Sequence, residues 1–150
     1  MNTSSKAYGK FYGRTFAANV TIRPNGGIQT SDSSAEKSGA TLWLNYPTDV
    51  VTLEAGTGIA RTFTVTVPKD AKPGQYFAAL CFETAEPLAI AGTPNLKQNL
   101  RTTIAFEINV PGKIESSFSI KDVHIVSDDT WTGIQATISN TGNVLVKPTG

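Results

Sequence analysis

The chain has 150 residues, a net charge of +1 and a charged fraction of 17%. That length suffices for one domain with a packed core, or for one domain and part of another. The near-neutral charge, with basic residues scattered along the chain, argues against nucleic acid or an acidic polymer as partner. The single cysteine excludes an internal disulfide.

Thirteen glycines and eight prolines, set among many Thr, Val and Ile, favour an all-β chain. No window carries a helical stripe, and no apolar run approaches the ~20 residues of a membrane span. Residues 1–10 read as a flexible arm. Their opening, Met-Asn-Thr-Ser-Ser-Lys, lacks the basic and apolar regions of a signal peptide, so an exported form is expected to have lost its signal. Phe11–Ile22 reads as a long first strand with Phe16, Ala18, Val20 and Ile22 on one face. Arg23-Pro24-Asn25-Gly26-Gly27 ends it with turn signals. Residues 28–39 are rich in Ser, Asp and Gly without a period, which predicts a long surface loop. Residues 41–46 predict a short strand stopped by Pro47, and residues 50–53 another.

Residues 61–67 alternate, with Phe63, Val65 and Val67 against Thr62, Thr64 and Thr66, the period of a half-buried strand. Pro68 ends it, since proline has no N–H for a ladder. In the next turn, Pro73 presets φ and Gly74 can take φ > 0, as a type II turn requires. Alternation resumes from Gln75, with Tyr76, Ala78, Leu80 and Phe82 on one side. The two strands predict a hairpin whose apolar face packs on a second sheet. Residues 85–100 read as a second loop, and Arg101–Val110 as a further strand closed by Pro111-Gly112. The expected architecture over residues 11–112 is an immunoglobulin-like antiparallel β-sandwich.

After Gly112 a new unit begins. Residues 117–126 form a strand whose phase slips near Lys121-Asp122, as a β-bulge produces. Asp128-Asp129 makes a turn, residues 131–138 the next strand, Asn140-Thr141-Gly142-Asn143 a hairpin turn, and residues 144–146 a third strand. Three strands are too few for a sandwich. Residues 113–150 are therefore expected to be the opening strands of a second β domain, incomplete or completed by the first domain or by another molecule. Open edges invite self-association by strand exchange.

Catalytic sets are not visible. Cys81 and His124, the one conceivable nucleophile–base pair, fall in different units. Cys81 reads as a small apolar strand residue and His124 as a surface or bulge residue without the company a metal needs. Asp122, Asp128 and Asp129 lack EF-hand spacing and read as turn chemistry. Glu83 and Glu86 flank a strand end, the raw material of a glycosidase pair, but read as a solvated rim. No glycine-rich turn matches a phosphate loop. Trp43 and Tyr46 are the candidate ligand-binding residues, as rings that stack on a sugar. They lie on opposite faces of their strand, and such a tryptophan more often fills a core. Asn2 and Asn19 begin glycosylation patterns, the second inside a strand. The residues therefore point to binding or structure, with no catalytic residue, metal or cofactor.

Three segments, WLNYPTDVVTLEAG, FTVTVPKDAKPGQYFAAL and ISNTGNVLVKPTG, carry a resemblance. They place Trp43, Val51-Thr52-Leu53, Gly56, Val67-Pro68, Asp70-Ala71, Pro73-Gly74-Gln75-Tyr76 and residues 140–150 in a recognisable order. This resembles the WxL-interacting proteins, over residues 40–112 for their peptidoglycan-binding domain and over 113–150 as a fragment of the domain after it. The resemblance implies export to the cell wall of a Gram-positive bacterium, and extracellular binding of peptidoglycan or surface proteins without catalysis. The alternative is a structural subunit of an extracellular fibre or assembly joined by β-strand exchange.

Overall fold

The structure, a computed structural model, describes residues 10–23, 25–54, 56–89 and 96–147. Of the expected arm, residues 1–9 lie outside these, as do Pro24 of the first turn and residues 90–95 of the second loop. The described chain is all-β with antiparallel sheets, as its composition indicates, and its only helical element is one 3-10 turn at Gly39–Trp43. It divides into two compact units. The first comprises residues up to 69 together with 77–108, and the second residues 70–76 together with 109–150.

In the first unit the chain runs through β1 (Phe11–Ile22), β2 (Ile28–Thr30), the 3-10 turn, β3 (Leu44–Asn45), β4 (Val51–Leu53), β5 (Thr64–Val65), β6 (Gly74–Thr84), β7 (Leu88–Ala89), β8 (Lys97–Gln98) and β9 (Arg101–Val110). The opening residues of β6 and the closing ones of β9 belong to the second unit. The main sheet has the order β2-β1-β6-β9, with β4 also on β1. β1 is its spine because it is long enough for three partners. Phe11 to Gly13 pair with β4, Gly13 to Asn19 with β6, and Val20 to Ile22 with β2.

Several expectations change here. The segment read as loop from residue 28 opens with a strand, β2. The turn before it is closed by Arg23 N–H to Gly27 O (2.8 Å) and by Gly26 at φ 79°. The rest of that segment is stapled to β1 by Asn19. Its Nδ2 donates to Glu36 O (2.7 Å) and its Oδ1 accepts from Ser38 N–H (2.9 Å). An amide used on both sides explains the residue at this strand position without glycosylation. Of residues 41–46, the first three belong to the 3-10 turn and only Leu44–Asn45 is strand.

The largest change concerns residues 61–67. Only Thr64–Val65 is strand, and it pairs with β3. β6 is flanked by β1 and β9 instead, so the expected hairpin does not form. The turn signal is local, whereas β1 offers β6 seven consecutive pairs and far more burial. Phe63, Val65 and Val67 consequently stay 37–40% exposed.

Directly opposed residues of an antiparallel pair share a face. Thr15 opposes Phe82 and Ala17 opposes Leu80, whereas Phe16 opposes Cys81 and Ala18 opposes Ala79. The face expected to be buried is thus the one with Ala78, Leu80 and Phe82. The opposite face is buried more deeply. There Phe16, Ala18, Ala79 and Cys81 form the core cluster, with Val20 against it. Alanines at 17, 18, 78 and 79 keep the middle of both strands thin, so neighbours close in from either side.

Gly13 sits where β1 meets the Phe11 and Phe82 rings, whose centroids are 5.8 Å apart. A Cβ there would lie 2.2 Å from Phe82 Cζ and 2.9 Å from Phe11 Cε1. Gly13→Ala is expected to lower stability in chemical denaturation by about 1–3 kcal/mol through overpacking. Adding Phe82→Leu should recover part of that loss.

The second unit contains a ribbon of β10 (Phe118–Ser127) and β11 (Thr132–Asn140), with a register shift between Ile120 and Asp122, where the phase slip predicted a bulge. The shift has a purpose in the pairing. It puts Phe118, Ile120, Val123 and Ile125 on one face with Ile134, Ala136 and Ile138. A regular strand would have turned Val123 and Ile125 to the side of Ser119 and Lys121, and put Asp122 and His124 beside Phe118 and Ile120. The turn at Asp128-Asp129 forms as expected. Asp128 Oδ1 accepts from the N–H groups of Thr130 (2.8 Å) and Trp131 (2.9 Å).

The expected third strand does not form, since residues 144–146 are irregular. Asn143 instead ties the turn down. Its Nδ2 donates to Pro73 O and Lys113 O (both 2.9 Å), its Oδ1 accepts from Glu115 N–H (2.8 Å), and its carbonyl accepts from Gln75 N–H (2.8 Å). Gly74 begins β6 at φ 150°, not the roughly +80° that the expected type II turn requires, and a Cβ there would meet Asn143 O at 2.7 Å. The Pro-Gly corner therefore closes against Asn143.

Candidate binding cleft

The sheet face carrying Phe11, Thr15, Leu80 and Phe82 is covered incompletely. Across from it runs the segment from Gly56 to Phe63, which contains no strand. A half-open cleft of about 660 Å³ remains between them, walled chiefly by Phe11, Leu53, Ile59, Phe63, Leu80, Phe82 and Ile104. Phe63 stacks on Phe106 (centroids 5.4 Å) and anchors one end of the covering segment. Arg61 also lines the cleft. Its Nη2 pairs with Asp49, and this hydrogen bond draws the exposed Asp49 carboxyl below the usual carboxylate range. Arg61 Nε and Nη1 are closed off from solvent, yet find no acceptor among the described residues.

The opposite face carries a charge network. Glu83, only 3% exposed, accepts from Arg14 Nη2 on Oε1 (3.0 Å) and from Arg101 Nε and Nη2 on Oε2 (3.1 and 2.9 Å). Arg101 also reaches Asp32 (3.1 Å), and its guanidinium lies 5.0 Å over the Phe16 ring. Burial pushes the Glu83 carboxyl up. The hydrogen bonds from Arg14 and Arg101 outweigh it and leave the group below its ordinary value. This corrects the reading of Glu83 as a solvated rim. With both oxygens engaged and the proton held off, Glu83 is the reverse of a general acid, and Glu86 beside it is exposed.

Of the other candidates, only Cys81 borders the cleft. Trp43 and Tyr46 are half-buried, and neither lines it. The carbonyl of Trp43 accepts from Thr66 N–H (2.8 Å). The hydroxyl of Tyr46 accepts from Lys37 Nζ (2.6 Å), and that ammonium lies 5.0 Å over the ring, so an internal cation already occupies the platform. Cys81 is buried in the core, its Sγ 3.3 Å from Thr103 Oγ1, in keeping with a packing role. His124 is exposed on the ribbon with Nδ1 2.8 Å from Asp122 Oδ2. The Asp128 carboxyl, held low by N–H and hydroxyl donors of its own turn, is committed to that turn. Among the described residues no three His, Cys, Asp or Glu gather to hold a metal.

Sequence reasoning misses the cleft, Arg61 and the Glu83 network. Arg61 stands at the head of an alternating run and reads as its polar start. Nothing local marks Arg14, Glu83 and Arg101, drawn from three strands, as neighbours. Comparison of the chain with protein-family models, with curated proteins and with solved structures finds no match.

Proposed function

We propose that the chain is a non-catalytic binding module of the cell surface, of the WxL-interacting type, with an immunoglobulin-like first domain that associates with peptidoglycan or surface proteins. One observation carries the reading beyond the sequence resemblance. The first unit offers a mainly apolar recess of a size that suits a ligand. The nearest buried carboxylate is locked in ion pairs on the other face, which fits recognition better than proton transfer. Sedimentation with purified Gram-positive peptidoglycan tests it. The wild-type chain should be retained without releasing soluble fragments, and a chain left wholly in the supernatant would remove peptidoglycan from the reading.

A second reading, a structural subunit joined by β-strand exchange, is favoured by the ribbon. Its bulged face exposes Phe118, Ile120, Val123, Ile125, Ile134 and Ile138 at 45–75%, more apolar surface than a lone ribbon keeps in water. Light scattering over a hundredfold concentration range should then show a mass that rises with concentration. A constant monomer mass would discard it.

A further inference from the structure

We infer that the cleft of the first unit, with the adjoining stretch of β9, seats an extended peptide strand of alternating apolar side chains with one carboxylate directed at Arg61. This rests on the binding-module reading and selects a protein segment over a glycan as occupant of the cleft. Three observations converge on it.

The first is the edge. β9 ends the main sheet, and no described strand lies on its far side. Its residues Thr102 and Ile104 line the cleft, with Ile104 63% exposed. An added strand would hydrogen-bond to this edge and turn every second side chain inward.

The second is the cover. The segment opposite has no strand, and its Ile59 and Phe63 remain 52% and 40% exposed toward a gap of about 660 Å³. A sandwich layer with a strand missing leaves such a gap. Walls of Phe, Ile and Leu suit apolar side chains, whereas a sugar needs an array of polar partners.

The third is charge. The lining contains no carboxylate among the described residues, and its two formal charges are Arg61 and Arg101. Arg101 is engaged by Glu83 and Asp32. Arg61 pairs with the exposed Asp49 through Nη2, but its Nε and Nη1 find no acceptor among the described residues. Donors left unmet favour an anionic partner that shifts the covering segment to reach them.

The test is a titration of the intact chain with fluorescent nine-residue peptides, read by anisotropy. The first has Thr at odd positions and Val at even ones, except for a Glu at the fourth. The second has Gln in place of that Glu. The third has the same composition as the first with its alternation scrambled. The Glu peptide should bind at least tenfold tighter than either of the others. Arg61→Gln should erase the preference for Glu over Gln. Ile104→Asp, at an exposed position that leaves the fold intact by circular dichroism, should weaken the Glu and Gln peptides at least tenfold. No saturable peptide binding, or binding indifferent to Ile104→Asp, would overturn the inference. So would displacement of the peptide by soluble muropeptides, which makes the occupant a wall fragment, or a dimer lost on Ile104→Asp, which makes it a second copy. Peptidoglycan retention without peptide binding would overturn the inference while leaving the binding-module reading standing.

Discussion

Asn143→Asp should destabilise the second unit more than any other single-atom exchange in it. The amide nitrogen lies 2.9 Å from two carbonyl oxygens, of Pro73 and of Lys113. A carboxylate oxygen there would face two acceptors with nothing to donate. Asn143→Ala removes the same two bonds and the one accepted from Glu115 N–H; only the bond to Pro73 O is part-buried, and water can meet the other two backbone groups. About 1–2 kcal/mol is expected for Ala, most of it from the part-buried bond to Pro73 O. Asp should exceed that. Amide hydrogen exchange at Gln75 and Glu115, both bonded to Asn143, reports on this directly and should accelerate in both variants. Unchanged exchange in Asn143→Ala would mean that Asn143 is a bystander. Gly74 and Gly142 add to the demand for this packing. A Cβ on Gly142 would stand 2.0 Å from Glu115 O.

Glu83→Gln should be the most damaging isosteric change in the first unit. It leaves Arg14 and Arg101 without their shared counter-charge. Both arginine side chains are partly exposed, at 45% and 28%, so water recovers some of the loss, and the expected cost is about 1.5–3 kcal/mol. Glu83→Ala should cost more, since it also opens a void. The same group sets an acid limb. The folded-state value of the Glu83 carboxyl lies below its unfolded value near 4.5, so the unfolded chain binds the proton more readily. The resulting stability is complete above the unfolded value and is lost as pH falls through the lower folded one. Urea midpoints measured from pH 7 down to pH 3 should therefore fall for the wild type and fall less for Glu83→Gln. Parallel curves would show that Glu83 contributes nothing to the acid limb.

Much of the fold is legible because it is local. β1, β6, β9, β10 and β11 show their period of two in the residues themselves, and the slip at Lys121-Asp122 announces the bulge that gives the ribbon its single apolar face. Asp128 announces its turn because its backbone preference belongs to one residue, whereas Pro73-Gly74 gives a bend into β6 and not the type II turn its residues suggest. Candidate sites are less legible. Trp43 and Tyr46 draw attention as rings, but a ring's availability depends on what lies over it, and over Tyr46 lies Lys37.

The sequence by itself determined an all-β chain, the positions of its long strands and the amphipathic face of β10–β11, since each comes from side-chain alternation within one segment. Only the tertiary structure decided that β6 lies between β1 and β9, that residues 61–67 leave a cleft in place of the expected hairpin, and that Arg14, Glu83 and Arg101 meet. Strand pairing is settled by competition among distant segments for burial and ladder bonds. A charged residue becomes a core ion pair only when three strands bring its partners within hydrogen-bond reach, and neither condition is written in any one stretch of chain.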